Sequence, residues 1–193
     1  PIISFALATS SISEASSTAG ILIQINATSS KNVTASFGLS GTATSTGGAI
    51  DYSFATTTIT IPAGSVSTTT TTTIVNDTLN ETDETIILTL SGPTNATTTG
   101  ATYTTHTLTI LDNDSIPTVG FASSTTSGSE ASSTVSLLIS LSATSSKDVT
   151  VSYSVATASI TASSGVDYVA SNGTATIPAG SISTTVTAAT VIN

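Results

Sequence analysis

The sequence predicts an all-β protein made of tandem antiparallel Greek-key β-sandwiches, seven strands each, the second one incomplete within this chain. Three observations carry that prediction. Aliphatic residues recur at every second position in one segment after another, the period of a strand with one buried face, and no helical period competes with it. Gly, Pro, Asn and Asp separate these segments at short intervals, as sandwich connections require. The pattern then returns 116 residues later, a spacing that fits a whole domain and is too long for a solenoid coil.

Strands are expected near residues 2–9, 19–27, 32–39, 57–62, 66–75, 84–91 and 102–111. In the second, Ile21, Ile23 and Ile25 form the inward row, and Leu22, Gln24 and Asn26 the outward one. The third alternates Val33, Ala35, Phe37 and Leu39 with Thr34, Ser36 and Gly38. The fourth and fifth are rich in Thr, a β-branched residue well suited to strands, and the run Thr68–Thr73 sets Thr on both faces of one strand. Ile86, Leu88 and Leu90 form the inward row of the sixth, and Leu108 and Ile110 that of the seventh. Turn residues stand at Gly41, Gly47-Gly48, Pro62-Ala63-Gly64 and Gly92-Pro93.

The repeat is legible residue by residue. Ser13-Glu14-Ala15-Ser16-Ser17-Thr18 returns as Ser129-Glu130-Ala131-Ser132-Ser133-Thr134, and Ala27-Thr28-Ser29-Ser30-Lys31 as Ala143-Thr144-Ser145-Ser146-Lys147. Asp51-Tyr52 returns as Asp167-Tyr168, and Ile61-Pro62-Ala63-Gly64-Ser65 as Ile177-Pro178-Ala179-Gly180-Ser181. One extra residue then enters the second copy, so Ile74-Val75-Asn76 aligns with Val191-Ile192-Asn193. The expected domains are residues 1–115 and 116–193, the second stopping before its last strands, joined by the short stretch Asn113-Asp114-Ser115-Ile116-Pro117.

A net charge of −9, with Lys31 and Lys147 the only basic side chains, argues against an electrostatic grip on nucleic acid or an anionic membrane surface. The absence of Cys excludes disulfides, zinc thiolate sites and cysteine nucleophiles. No apolar run approaches the length of a membrane-spanning helix. His106, the only histidine, shares strand parity with Leu108 and Ile110, so a structural role is expected of it and no catalytic triad can be built around it. The acids cluster too densely for the two separated carboxylates of a glycosidase, and no Trp is present to stack on sugar. No enzymatic activity is expected.

What remains is the distribution of acid. Four of the eleven carboxylates fall within residues 76–84: Asp77, Glu81, Asp83 and Glu84. At about 5 Å and an effective dielectric near 20, each like-charged pair costs about 3 kcal/mol before screening. Such a loop requires full solvation or a cation. Glu14, Asp51, Asp112 and Asp114 also lie in loops or at strand ends of the first copy, and sandwich connections can meet at one end. Oxygen donors from several loops, without His or Cys, suit Ca²⁺; the alternative is a solvated acidic edge.

Glu14 after the first strand, Gly48-Ala49-Ile50-Asp51-Tyr52, Ile59-Thr60-Ile61-Pro62-Ala63-Gly64, Ile74-Val75-Asn76-Asp77 through Glu81-Thr82-Asp83-Glu84-Thr85-Ile86, and Leu108-Thr109-Ile110-Leu111-Asp112-Asn113-Asp114 together resemble a Calx-β domain. The resemblance spans the first copy and continues through Gly120-Phe121, Glu130, Gly165-Val166-Asp167-Tyr168 and Ile177-Pro178-Ala179-Gly180. It implies an immunoglobulin-like sandwich that binds Ca²⁺ at the loops of one end. Carried over by position, it makes Glu14, Asp51, Asp77, Glu81, Glu84, Asp112 and Asp114 ligands, with the Leu79 carbonyl beside them and Glu130 and Asp167 as a partial set in the second copy. Asn76 and Asn113 stand where calcium-rich members carry Asp, which predicts fewer or weaker ions.

The family occurs in sodium–calcium exchangers, integrin β4 and repetitive extracellular adhesins. With seven Asn-x-Ser/Thr sequons and scarce Lys, the expectation is an extracellular or cell-surface structural or adhesive module, Ca²⁺ stiffening its loops and the joint at Asp112 and Asp114. Asn26 and Asn95 are the glycosylation candidates. Expected partners are adjacent repeats or further copies, as in a fibre or filament; surface glycans belong to the alternative, a calcium-dependent lectin-like module.

Overall fold

Strands form where the alternation places them. The structure, a computed structural model, describes residues 1–47, 49–129, 131–132, 134–155, 165, 167–170 and 172–191. By contact the chain divides into two units, Pro1–Asp77 with Thr82–Asn113, and Thr78–Glu81 with Asp114–Asn193.

Among the described residues the first unit has nine strands: β1 (Ile3–Phe5), β2 (Thr9–Ser13), β3 (Thr18–Ile25), β4 (Val33–Gly41), β5 (Tyr52–Phe54), β6 (Thr58–Ile61), β7 (Ser67–Ile74), β8 (Glu84–Thr94) and β9 (Thr105–Leu111). They form a four-stranded sheet in the order β1-β3-β7-β5 and a five-stranded sheet in the order β2-β9-β8-β4-β6. One core joins the sheets: Ile3, Phe5, Ile21, Ile23 and Ile25 from the first meet Val33, Phe37, Ile86, Leu88, Leu108 and Ile110 from the second. Each such aliphatic side chain contributes about 1.5–3 kcal/mol by leaving water. The Thr run divides as its parity demands. Thr70 and Thr72 are buried, Thr69, Thr71 and Thr73 face solvent, and Thr72 Oγ1 donates to the Ser53 carbonyl at 2.9 Å.

Two details depart from the expected seven antiparallel strands. The expected strand 2–9 is two strands on different sheets, because the chain leaves one edge and closes another. Ala6 N–H still donates to the Leu22 carbonyl at 3.0 Å, whereas the Ala8 carbonyl already accepts from Thr107 N–H at 2.9 Å. As a result β2 runs parallel to β9, from Thr9↔Thr107 to Ser13↔Leu111, whereas the other described strand pairs of this unit are antiparallel. One segment thereby covers an edge in each sheet. The expected strands also omit β5, a three-residue edge strand whose Tyr52 and Phe54 rings pack edge-on at 5.9 Å, with Phe54 5.3 Å from Phe37.

The second unit repeats the first. Its described strands are β10 (Val119–Phe121), β11 (Thr134–Leu141), β12 (Val149–Tyr153), β13 (Tyr168–Ala170), β14 (Gly173–Ile177) and β15 (Ser183–Val191), in sheets ordered β10-β11-β15-β13 and β12-β14. Registers recur at the same offset: Ile3↔Ile25 becomes Val119↔Leu141, and Val33↔Ile61 becomes Val149↔Ile177. The extra residue of the second copy is absorbed as a β-bulge, where Ser136 pairs with Thr187 but Val135 with Ala189. Among its described residues, Ile139, Leu141, Ala175 and Ile177 are buried, with Val149, Val151, Tyr153 and Val186 partly covered.

The stretch 78–81, from the first copy of the sequence repeat, belongs by contact to this unit. Asn80 is buried, its carbonyl accepting from Ser146 N–H at 3.0 Å and its Nδ2 donating to the Asp114 carbonyl at 3.2 Å.

Candidate metal centre

Strand register alone carries the acids of the first unit to one end. Ser13 ends β2 opposite Leu111, the last residue of β9, and Glu84 opens β8 opposite Ile110. Tyr52 opens β5 opposite Ile74, the last residue of β7. Glu14, Asp112, Glu84, Asp51 and Asp77 sit within three residues of these ends. Hydrogen bonds connect the positions. The Asp51 carbonyl accepts from Val75 N–H at 2.9 Å, and Glu14 N–H donates to the Leu111 carbonyl at 2.9 Å. Glu14 Oε1 accepts from Asp77 N–H at 2.8 Å, and Asp83 Oδ1 from Asp112 N–H at 3.1 Å.

At this end Glu14, Asp112 and Asp114 bring one carboxylate oxygen each to within 4.8 Å of one another. Glu14 is only 6% exposed, and Asp112 and Asp114 are half-buried. Asp114 Oδ2 and Glu84 Oε2 are shut off from solvent. Three carboxylates at this spacing repel by about 3 kcal/mol per pair at an effective dielectric near 20, and burial of Glu14 weakens the screening that would relieve it. A divalent cation reverses the sign of the balance. The donors are all oxygen, the combination that hard cations such as Ca²⁺ take. The residues present therefore fit the ion that the sequence led us to expect.

Among the described residues, the other expected ligands do not join this group at that distance. Asp51 Oδ2 accepts from Thr44 N–H at 2.6 Å, and so spends one oxygen on closing the 44–51 loop. Asp77 reaches Glu14 through its backbone. Leu79 and Glu81 lie in the stretch counted with the second unit, where the Glu81 carbonyl accepts from Lys147 Nζ at 3.1 Å. Glu130 lies outside the described residues, and Asp167 is exposed before β13. Asp83, which the sequence reading left out of the ligand set, positions the Asp112 backbone. No pattern in the sequence distinguishes that role from a ligand's.

His106 is buried on β9. Its Nδ1 donates to the Leu7 carbonyl at 2.8 Å, leaving Nε2 to accept from the Ser10 hydroxyl at 2.8 Å, and its ring lies 5.6 Å from that of Phe5. It holds the chain where β1 passes to β2. Of the two glycosylation candidates, Asn26 is exposed and its Oδ1 accepts from Ile2 N–H at 2.8 Å. Asn95 is also exposed, but its backbone is left-handed at φ 57° and its Nδ2 donates to the Asn32 carbonyl at 2.8 Å. The turn itself therefore explains Asn at that position.

Comparison with known proteins adds the following. The family described as Calx-beta domain matches residues 1–114 and again 112–192. Among solved structures, the crystal structure of calcium binding domain CBD12 of CALX1.1 is 16% identical, with a TM-score of 0.51, covering 98% of this chain and 75% of that one. That of CBD12 from CALX1.2 is 15% identical, with a TM-score of 0.50, covering 100% of this chain and 75% of that one. At these identities the likeness speaks for the fold. No curated protein matches the sequence.

Proposed function

Because this chain belongs to the Calx-β family through both of its repeats, we propose that it is a calcium-binding, non-catalytic structural module with its principal ion site at Glu14, Asp112 and Asp114. The observation that carries this reading is the convergence of those three carboxylates, one of them buried, at the end of the sandwich where Asp51, Asp77 and Glu84 also gather. Calcium neutralises the cluster and draws the backbone after β9 onto Glu14, so that residues 112–114, where one repeat gives way to the next, are ordered by the ion. The work of such a module is mechanical: a chain of sandwiches whose stiffness follows calcium.

The setting we propose is extracellular or at the cell surface, where millimolar calcium suits a site in which Asn76 and Asn113 replace charged ligands. The exposed sequon at Asn26 supports it. Adhesive or filament-forming roles would build on the same stiffness.

Isothermal titration of the whole chain with CaCl₂ tests the reading. Binding that Glu14→Gln and Asp112→Asn each weaken by about tenfold or more is expected, and a chain that takes up no calcium ends the proposal. A glycan array run with and without calcium separates a spacer, which gives no selective signal, from a lectin-like module.

A further inference from the structure

The two repeats differ in chemistry at the entry to β6 and its counterpart β14. In the first repeat Thr56-Thr57 stands there, and Thr56 Oγ1 accepts from Thr58 N–H at 3.1 Å. In the second the same positions hold Asn172-Gly173. Of the chain's asparagines, Asn172 alone is followed by Gly. The side-chain carbonyl carbon of an Asn can close a five-membered ring with the backbone nitrogen of the next residue, and Gly puts no side chain in the path of that closure.

Three features of the fold favour closure at this place. Asn172 is exposed, as its counterpart Thr56 is, so water reaches it. Its Oδ1 accepts from Val155 N–H at 2.9 Å, a donor placed where negative charge develops on that oxygen during attack at the carbon. Its Nδ2, the leaving group, makes no hydrogen bond among the described residues. The attacking nitrogen is held only at the end of a ladder: Gly173 and Tyr153 are the last pair of β12 and β14. End pairs fray at little cost. The same fold fixes Gly at this position, because a Cβ there would overlap the Tyr153 ring and hydroxyl.

We infer that Asn172-Gly173 is a site of self-modification that consumes water and needs no enzyme. The Gly173 nitrogen bonds to Asn172 Cγ, the Cγ–Nδ2 bond breaks, and ammonia leaves with the proton that the nitrogen gave up. One water then opens the resulting succinimide at either carbonyl, leaving aspartate or isoaspartate at position 172. Each event adds one negative charge to a chain already at −9. The isoaspartate form also inserts one carbon into the backbone just ahead of β14, and so disturbs the Tyr153↔Gly173 pair. An N-linked sugar at the Asn172-Gly173-Thr174 sequon would occupy the same amide and block the reaction. The site is separate from the calcium cluster and stands if that reading fails.

The test is incubation of the unglycosylated full chain in mildly alkaline buffer, each asparagine being followed by mass spectrometry of its proteolytic peptide. A gain of about 1 Da is expected at Asn172, at least about tenfold faster than at Asn26, Asn32, Asn76, Asn80, Asn95 or Asn113. Isoaspartate, read with an isoaspartate-specific methyltransferase, is expected beside aspartate, since only the ring opens both ways. A parallel sample unfolded in guanidinium chloride gives the rate that the local sequence sets by itself. The folded chain is expected to react within about tenfold of it. Three results would overturn the inference: a rate at Asn172 short of the margin over the other asparagines, aspartate as the sole product, or a folded chain slower than that range, which would mean that the fold shields the pair.

Discussion

Glu14 shows how one residue can serve the fold and, on the proposed reading, an ion together. Its backbone continues the pairing of β2 with β9, while its side chain bonds the Asp77 amide and faces Asp112 and Asp114. Glu14→Gln keeps an oxygen for the Asp77 amide and removes one charge from the cluster. The expected outcome is a calcium-free form at least as stable as the parent in urea, because a repulsion of a few kcal/mol at most is relieved. Asp83→Asn keeps the acceptor for Asp112 N–H, so titration should show calcium affinity within about threefold of the parent. An equal loss in Asp83→Asn and Glu14→Gln would place Asp83 among the ligands. Gly41 is a residue whose identity is set by space: its φ is 124°, and a Cβ there would overlap the Thr85 carbonyl oxygen. Gly41→Ala should cost about 2 kcal/mol or more by urea denaturation.

At the scale of elements, the switch from β1 to β2 is the least ordinary feature, and His106 secures it. The imidazole joins the Leu7 carbonyl to the Ser10 hydroxyl across the crossing and packs on Phe5. His106→Ala removes both bonds and leaves a cavity in a closed core, for an expected loss of about 3–4 kcal/mol in urea. Hydrogen exchange should quicken first along β2, since it lies at the edge of its sheet, paired with β9. A variant as stable as the parent would show that the crossing holds without the ring. The bulge in β15 carries the opposite lesson. One inserted residue was accommodated without changing which strands pair, because a bulge confines a register shift to one place.

For the molecule as a whole, the proposed calcium site predicts that the ion sets how stable the first sandwich is. An ion that binds only the folded form adds about 2.7 kcal/mol when present at a hundredfold excess over its dissociation constant. For a domain of this size that raises the Tm by about 10 °C. Melting in EDTA against saturating CaCl₂ should show this shift, and superimposed curves would remove the ion from the account.

Much of this was legible in the sequence, for a definite reason. Alternation encodes which face of each strand is buried, so residue parity alone placed Ile21, Val33, Leu88 and Leu108 inside, and the internal repeat declared two domains of one kind. Parity also marked His106 as structural. Parity is blind, however, to which strands become neighbours. The parallel pairing of β2 with β9, the short β5, and the grouping of residues 78–81 with the second unit depend on contacts between segments far apart in the chain. The acid site divides along the same line. Clustered Asp and Glu led to the expectation of a cation, but the convergence of Glu14 with Asp112 and Asp114, and the bonding of Asp51 and Asp83 to backbone amides, came from the three-dimensional register of strand ends, because a carboxylate has the same local sequence signature whether it holds an ion or a loop.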